Sequence, residues 1–506
     1  MIKEEYKLWN EGDIVLIGTG TGSGKSYFIR NHLSAYANEE GEEILIIFNR
    51  KQLHEQNKEH IRKDNNFRVH TATYQEIEQS IINNGSYDFS KYKYIVCDEC
   101  HYFTDDSGFN HNSDISFNAI MNQTNKIKIF MSATGGSLFS FIKENHSKPK
   151  IWNYRQKKNY DHIASLNFYT SNDAVENFIQ HKFRNDEKII WFCKSVEKAA
   201  KLHAKYPDSY FLCSISNKNK KHLKLLEEDT FKTTDGKTTF DRKYLFTTKV
   251  LDNGFDLKDE KIKLIIVDEF EINTIIQCLG RKRILSDTDK VHVVLFNHSN
   301  RSINGYKSLL INKLNEVEAF MEGGVEGRNN FVGRFAHRSN YIIYDEPSTD
   351  NKFSSNKRVS RVKQLKAEND LSIIDEMLNN NRELNKLRSE YGEKKRSDAF
   401  VMYILELLNK DRCADLDRIY EQQELAEYLD STVGRVFLMK NQKEELIDKI
   451  NVRVDGHQLK SANSLNAALC ERGFNFVIKE FETSRILDGK KKKFKCAWKV
   501  MRLTDK

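Results

Sequence analysis

The run Thr19-Gly20-Thr21-Gly22-Ser23-Gly24-Lys25-Ser26 is the first stretch of the chain whose residue types and spacing point to chemistry. It follows the apolar Leu16-Ile17-Gly18 and precedes Tyr27-Phe28-Ile29, so it reads as a strand, a glycine-rich loop and the opening of a helix. Glycines let the backbone turn its N–H groups onto phosphate oxygens, a lysine at the loop's end reaches the terminal phosphates, and the following hydroxyl can hold Mg²⁺. Lys25 and Ser26 take those roles, and Thr21, Gly22, Ser23 and Gly24 line the phosphates. The common form of this loop begins with Gly, where this chain has Thr19. A second apolar run, Tyr94-Ile95-Val96-Cys97, ends in Asp98-Glu99-Cys100-His101. Two carboxylates emerging at a strand end downstream of a phosphate loop suit a metal and a water: Asp98 joins Ser26 as a metal ligand, and Glu99 polarises the attacking water. ATP and Mg²⁺ are the implied cofactors, and phosphoryl hydrolysis is the chemistry the chain advertises. The sequence holds neither a Gly-x-Ser-x-Gly elbow nor a His-Glu-x-x-His zinc helix. Cys97 and Cys100 form a C-x-x-C pair with no second pair to complete a zinc site, so the acidic motif explains them better.

These residues need a frame that brings strand ends together. Short apolar runs at Ile14 to Gly18, Ile44 to Phe48, Tyr94 to Asp98, Ile127 to Ser132, Ile189 to Cys193, Tyr244 to Thr247, Leu264 to Asp268 and Val291 to Phe296 alternate with amphipathic stretches. That is the pattern of parallel sheets covered by helices. The fold class it predicts is α/β, with two tandem P-loop lobes, 1–155 and 156–305, separated near Lys148-Pro149-Lys150. Residues 306–430 read as a connector and helical domain: Met321 to Gly327 and Ser348 to Arg361 as loop, and 362–450 as helix by the spacing of Leu371, Ile374, Met377 and Leu378. Residues 431–506 read as a small α+β module, a helix Ser464 to Arg472 followed by a hairpin turning at Asp488-Gly489.

Bulk properties narrow the class. A chain of 506 residues exceeds what one core supports, and 39% hydrophobic with 30% charged residues describes folded domains. The apolar runs fall far short of a membrane span, and Met1-Ile2-Lys3-Glu4-Glu5 lacks a signal-peptide pattern, so the expectation is a cytoplasmic protein with no membrane partner. A net charge of +8 is compatible with a polyanionic partner but does not establish one.

The Asp-Glu-Cys-His quartet resembles motif II of the superfamily 2 helicases, and neighbouring motifs follow in that family's order. Ile46-Ile47-Phe48-Asn49-Arg50 with Leu53 and Gln56 is similar to motif Ia, and Thr71-Ala72-Thr73-Tyr74-Gln75 to motif Ic. Ser132-Ala133-Thr134 resembles motif III, Trp191-Phe192-Cys193-Lys194-Ser195 motif IV, and Thr247-Thr248 with Leu251-Asp252-Asn253-Gly254-Phe255-Asp256 motif V. Gln277-Cys278-Leu279-Gly280-Arg281-Lys282-Arg283 resembles motif VI. The resemblance covers residues 14 to about 300 and implies two RecA-like lobes that close over ATP. By the same resemblance Gln277, Arg281 and Arg283 join Glu99 at the reaction, Asp256 joins the nucleotide site, His101, Ser132, Thr134 and Gly254 couple ATP state to the polymer, and Arg50, Thr73, Ser195 and Thr247 meet nucleic acid. The family often spaces its motif VI arginines three apart, so Arg281 and Arg283 both stand as the arginine finger. No glutamine precedes Lys25 to form the Q motif of the DEAD-box branch, which leaves purine selectivity open.

The tail carries Lys490-Lys491-Lys492-Lys493-Phe494-Lys495 before Trp498. It resembles the small winged-helix modules of mobile-element replication proteins, which implies that Lys491, Lys492 and Lys493 meet phosphates. A solvated lysine hairpin is the competing reading. The expected activity is an ATP-dependent helicase or translocase, on DNA rather than RNA, in mobile-element replication, repair or defence. Two alternatives stand beside it: an ATP-switched, site-specific DNA-binding initiator, and a nucleic-acid-gated regulatory ATPase that docks a protein partner through residues 306–430.

Overall fold

In the computed structural model the apolar runs become the centres of two sheets. The structure describes residues 2–20, 22–49, 68–104, 112–146, 150–156, 159–215, 217, 220–227, 229–234, 237–249, 256–335, 340–345, 357–391, 395–454, 457–487 and 490–503. Thr21, Arg50, Leu53, Gln56, the Leu251 to Phe255 stretch with Gly254, and the Asp488-Gly489 turn lie outside the described residues.

The first sheet comprises β1 (Ile14–Gly18), β2 (Glu43–Phe48), β3 (Val69–Thr73), β4 (Tyr92–Cys97), β5 (Ile127–Ser132) and β6 (Ile151–Arg155). They lie in the order β3-β2-β4-β5-β1-β6, all parallel. β1, β2, β4 and β5 are buried along almost their whole length, as β-branched and aromatic runs covered on both faces must be. The register pairs Gly18 with Ser132 and Cys97 with Phe130, so the phosphate loop, the acidic pair and the Ser-Ala-Thr motif leave one edge of the sheet together. β6 lies in the stretch expected to be the break between lobes: after Pro149 the chain returns to pair with β1 before it crosses.

The second sheet contains β7 (Ile163–Tyr169), β8 (Lys188–Phe192), β9 (Ser209–Phe211), β12 (Tyr244–Thr247), β13 (Ile262–Val267) and β14 (Val291–Phe296), with a small hairpin, β10 (Lys232–Thr234) and β11 (Lys237–Thr239), beside it. The order is β7-β14-β13-β8-β12-β9, and the pairs from β14 to β9 are parallel. The fold is therefore two tandem RecA-like α/β lobes, followed by helices and a small antiparallel module.

The chain divides into two compact units, Met1–Phe168 with Arg184–Cys413, and Tyr169–Phe183 with Ala414–Lys506. The first holds both lobes and the helices Asn300–Glu322, Gly324–Phe335, Arg361–Glu390 and Ala399–Leu407. Met321 to Gly327, expected as loop, is a junction of two helices: Gly324 has φ +54°, and a Cβ at Gly323 or Gly327 would meet the Ala319 carbonyl at 2.5 or 2.4 Å. The glycines permit a tight helix-to-helix turn rather than a linker. The 30-residue helix Arg361–Glu390 reaches both lobes. Val362 packs into the first-lobe core with Leu16 and Phe117, while Ile374 and Met377 pack into the second-lobe core with Ile275 and Leu295.

The second unit starts at Ala414, earlier than the boundary expected at 430/431, because Leu425 and Leu429 of helix Leu416–Ser431 belong to its core with Leu465, Trp498 and Val500. Helices Leu416–Ser431, Lys440–Ile450 and Ala462–Glu471 pack with an antiparallel sheet in which Lys490–Arg502 pairs with both Phe476–Leu487 and Val436–Phe437. The expected helical stretch 362–450 is thus shared between the two units.

Candidate active site

The phosphate loop folds around its own lysine. Lys25 Nζ donates to the carbonyls of Thr19 (2.9 Å) and Gly20 (3.0 Å). Gly22 and Gly24 take φ of +76° and +86°, a conformation that would strain any residue with a Cβ. Thr19, which stands where the common loop has Gly, is buried, and its hydroxyl lies 2.5 Å from that of Ser23, bridging the loop. Ser26 is the second residue of the helix that Lys25 opens. Burial lowers the Lys25 pKa and Arg283 adds to the effect, against the opposing pull of Glu99 and Asp98.

Asp98 and Glu99 sit where β4 ends. The Asp98 N–H donates to the Ile47 carbonyl (3.0 Å), Tyr74 donates its hydroxyl to the Asp98 carbonyl (3.0 Å), and the chain then turns through a left-handed Glu99, φ +47°. For a non-glycine this costs about 1–2 kcal/mol, a strain that fixes the direction of the Glu99 carboxylate. Burial, reinforced by Glu99, pushes the Asp98 carboxyl up to about 7. Burial acts on Glu99 too, but the hydrogen bond from His101 and the charges of His101, Lys25 and Arg281 outweigh it and draw Glu99 down to about 2. A buried carboxylate short of positive charge, at the same sheet edge as the Ser26 hydroxyl, is the hard-oxygen donor set that Mg²⁺ takes. Cys97 and Cys100 are fully buried, with thiols pushed up by burial, and among the described residues no group of three or more His, Cys, Asp or Glu is placed to hold a metal.

From Glu99 a chain of polar contacts runs to the second lobe. His101 Nδ1 lies 3.3 Å from Glu99 Oε2 and 3.1 Å from Ser132 Oγ. Ser132 Oγ accepts from the Thr134 N–H at 3.0 Å, and Gln277 Nε2 donates to Thr134 Oγ1 at 3.0 Å. His101, Ser132, Thr134 and Gln277 are all buried, so these bonds form away from competing water. The structure brings together three of the expected coupling residues and adds Gln277, expected at the reaction itself, as their contact in the second lobe.

The two motif VI arginines differ. Arg281 is 5% exposed, its Nε has no hydrogen-bond partner among the described residues, and its charge acts on Glu99. Arg283 lies against the phosphate loop, where a Cβ at Gly22 would come within 2.7 Å of Nη1, and its Nη2 pairs with Asp256 Oδ1 at 2.7 Å. Lys282, between them, is buried in an ion pair with Asp289 (2.5 Å) and serves the lobe's own packing.

The expected nucleic-acid contacts fare unevenly. Thr73 is buried as the N-cap of helix Tyr74–Asn84, closing a capping box with Glu76, and Thr247 is buried with its hydroxyl donated to the Thr248 carbonyl. Both side chains are turned inward and occupied, so neither is displayed to a polymer. Ser195 caps helix Val196–Lys205 and lines a cavity of about 1000 Å³, shared with Thr134, Lys194, Phe270, Tyr306 and Lys313. Lys491, Lys492 and Lys493 are exposed on the hairpin, Lys493 paired to Glu482 at 2.8 Å. Sequence reasoning missed two buried lysines of helix Arg361–Glu390. Lys363 Nζ lies 3.1 Å from Asp114 Oδ2, and Lys366 Nζ lies 3.1 Å from Glu271 Oε1 and 2.6 Å from Asp370. Charge on a helix of this composition ordinarily marks a solvated face, so the sequence carried no signal for them.

Residues 3–138 match the family model described as DEAD/DEAH box helicase. This segment is a DEAD/DEAH box helicase domain. The phosphate loop, the acidic pair and Ser132 to Thr134 all fall inside it. No curated protein matches the chain. Among solved structures it is similar to S. cerevisiae Dbp5 bound to RNA and ADP BeF3, at 17% identity and TM-score 0.42, covering 58% of this chain and 81% of that one. It is also similar to the DEAD-box helicase Mss116 bound to ssRNA and UDP-BeF, at 14% identity and TM-score 0.43, covering 81% of this chain and 85% of that one. A DEAD box protein from the hyperthermophile Methanococcus jannaschii aligns at 18% identity and TM-score 0.32 over 58% of this chain and 84% of that one. Among the described residues no helix is long and apolar enough to cross a membrane.

Proposed function

We propose that the chain is a nucleic-acid-stimulated motor that couples ATP hydrolysis between its lobes to movement along a strand. The observation that carries this reading is the continuous polar path Glu99–His101–Ser132–Thr134–Gln277, which ties the water-activating carboxylate to the second lobe. Lys25 holds the terminal phosphates, exchanging its contacts with the Thr19 and Gly20 carbonyls for phosphate oxygens. Ser26 and Asp98 would hold Mg²⁺, which when bound would supply charge neutralisation on the phosphates. Glu99, kept ionised by His101 and the neighbouring cations, orients the attacking water and accepts its proton. Arg281 is the finger: it is buried, leaves an N–H unused and acts on Glu99, whereas Arg283 secures the loop side of the nucleotide.

The strand's path in this reading is the cavity lined by Thr134 and Ser195. Lys194 and Lys313 offer cations there, and Tyr306 offers a ring stacked on Phe270 at 4.4 Å, the combination that single strands use. The helices Lys440–Ile450 and Ala462–Glu471 followed by the long hairpin Phe476–Leu487/Lys490–Arg502 support reading the C-terminal residues as a winged-helix-like module. Residues 490–493 are exposed along consecutive positions, as on an arm projecting past its core, and suit phosphate contact. DNA is the proposed polymer, on the sole ground that motif II is Asp-Glu-Cys-His rather than the Asp-Glu-Ala-Asp of the largest RNA-acting branch.

The test is ATP turnover by the wild type and Glu99→Gln, each alone and with single-stranded DNA, duplex DNA or single-stranded RNA. Stimulation by single-stranded DNA that disappears in Glu99→Gln supports the proposal, and stimulation by RNA alone reassigns the track. Basal turnover with no stimulation by any polymer sinks the motor reading and leaves a partner-gated ATPase.

A further inference from the structure

Beside the phosphate loop, on the side away from the acidic pair, lies a second cavity of about 440 Å³. Gly20, Gly22 and Ser23 form its loop wall, Gln156, Asn159 and Tyr160 of the crossover between lobes form another, and Ile276, Leu279 and Ile284 supply apolar surface. The sheet order β4-β5-β1-β6 puts the acidic pair two strands to one side of the loop and this crossover one strand to the other. That separation is three strand spacings, ~14 Å, along which an extended nucleotide can lie. A triphosphate ending at Lys25 and Asp98 would therefore carry its base toward Tyr160.

Asn159 Oδ1 accepts from the Asp161 N–H at 2.6 Å, whereas the exposed Gln156 carboxamide has no side-chain hydrogen bond among the described residues. The Tyr160 hydroxyl is buried without a hydrogen-bond partner among the described residues, and burial pushes it up to about 12. The cations that line the cavity are engaged elsewhere, Lys282 with Asp289 and Arg283 with Asp256. The walls are anchored to both lobes: the Gln156 N–H donates to the Gly18 carbonyl at 3.3 Å, and the His162 carbonyl accepts from the Val291 N–H at 3.0 Å.

We infer that this cavity is the nucleobase site of the chain, and that Gln156, Asn159 and Tyr160 select adenine over guanine from the crossover. The inference rests on the ATPase reading above. Adenine presents an amino donor next to a ring-nitrogen acceptor, a pair that one carboxamide satisfies with its oxygen and its NH₂. Guanine presents a carbonyl at the same edge, which would face a carboxamide oxygen unpaired. A volume of this size with an apolar wall and a few convergent polar groups is of the kind that small ligands fill. The crossover thus does the work of the Q motif that the sequence lacks, and because it is tied to both lobes, base recognition reports on their closure.

The experiment measures the affinities of ATP, GTP and inorganic tripolyphosphate by calorimetry in the non-hydrolysing Glu99→Gln full chain. The same titrations are made with Gln156→Ala/Asn159→Ala and with Tyr160→Phe added, and with Lys25→Ala as control. The expected result is about tenfold weaker ATP binding in the double variant, an ATP-to-GTP ratio approaching one, and tripolyphosphate unchanged. Equal losses for ATP and tripolyphosphate, or an unchanged ATP-to-GTP ratio in both crossover variants, overturn the base site while leaving the ATPase reading intact. Absence of binding by all three ligands, or binding indifferent to Lys25→Ala, overturns both. Gln156 and Asn159 are exposed, so thermal melting of the double variant should match its parent.

Discussion

Replacing Lys363 with methionine tests whether helix Arg361–Glu390 clasps the two lobes. Lys363 is fully buried, its Nζ 3.1 Å from Asp114 Oδ2 and over the Tyr344 ring, and Asp114 lies on helix Ser113–Met121 of the first lobe. Lys363→Met keeps the stem's packing but leaves the Asp114 carboxylate buried without its cation. Breaking a buried pair in this way costs about 3–5 kcal/mol. The hydroxyl of Ser360, which donates to Asp114 Oδ1 at 2.7 Å, survives and places the expected loss near the lower end, about 3 kcal/mol. At roughly 1.2 °C per kcal/mol for a cooperative unit of about 400 residues, melting of the two-lobed unit should fall by about 4 °C. The double variant Lys363→Met/Asp114→Leu removes the stranded charge and should recover most of that loss. Differential scanning calorimetry with circular dichroism reads both effects. A fall of less than about 2 °C in the single variant, or no recovery in the double, refutes the buried pair as the fastener. The same helix holds the second lobe through Lys366 and Glu271, so the weakened clasp should also raise basal ATP turnover relative to polymer-stimulated turnover.

Four further outcomes follow from the same geometry. Gln277→Ala removes the bond to Thr134 across the lobes and should reduce polymer-stimulated turnover about five- to tenfold, basal turnover staying within about twofold; equal losses in both would show that Gln277 serves chemistry rather than coupling. Arg281→Ala should lower kcat by about 10³ with KM for ATP little changed, while Arg283→Ala should raise KM, and steady-state kinetics showing the reverse would exchange their roles. Glu269, whose carboxyl burial pushes up to about 7, favours the folded state when neutral, so that stability is present near the ordinary Glu value and is lost as pH rises toward 7. Glu269→Gln should therefore stabilise the chain at pH 8 by about 2–3 kcal/mol and by almost nothing near pH 4.5, and a pH-independent difference in urea titrations would rule this out. Thr73→Ala breaks the capping box of helix Tyr74–Asn84 and should cost about 1 kcal/mol of stability, with polymer affinity unchanged in a binding titration.

How legible the site was depended on whether local sequence or distant packing set each residue's role. The phosphate loop was readable because its function is a backbone conformation: Gly22 and Gly24 at positive φ announce themselves as glycines, and Lys25 must follow them. Four strands, Ile14–Gly18, Ile127–Ser132, Tyr244–Thr247 and Val291–Phe296, have the expected bounds because an apolar run ends where burial ends. Val69–Thr73 and Ile151–Arg155 were missed for the converse reason, since edge positions admit His70, Asn153 and Arg155 and so dilute the pattern. Thr73 and Thr247 show the limit of a motif carried over by resemblance. A hydroxyl at a strand end can cap a helix or bond its own chain as readily as meet a phosphate, and only coordinates reveal which. The lysines of helix Arg361–Glu390 lay further out of reach. Nothing near Lys363 in sequence distinguishes it from a solvated residue, because its partner Asp114 lies far earlier in the chain and meets it only through tertiary packing. A two-lobed chain built this way carries its candidate site in short contiguous motifs and its contacts between lobes in long-range pairs. Substitutions at pairs such as Lys363–Asp114 should therefore alter how turnover responds to the polymer before they alter turnover itself.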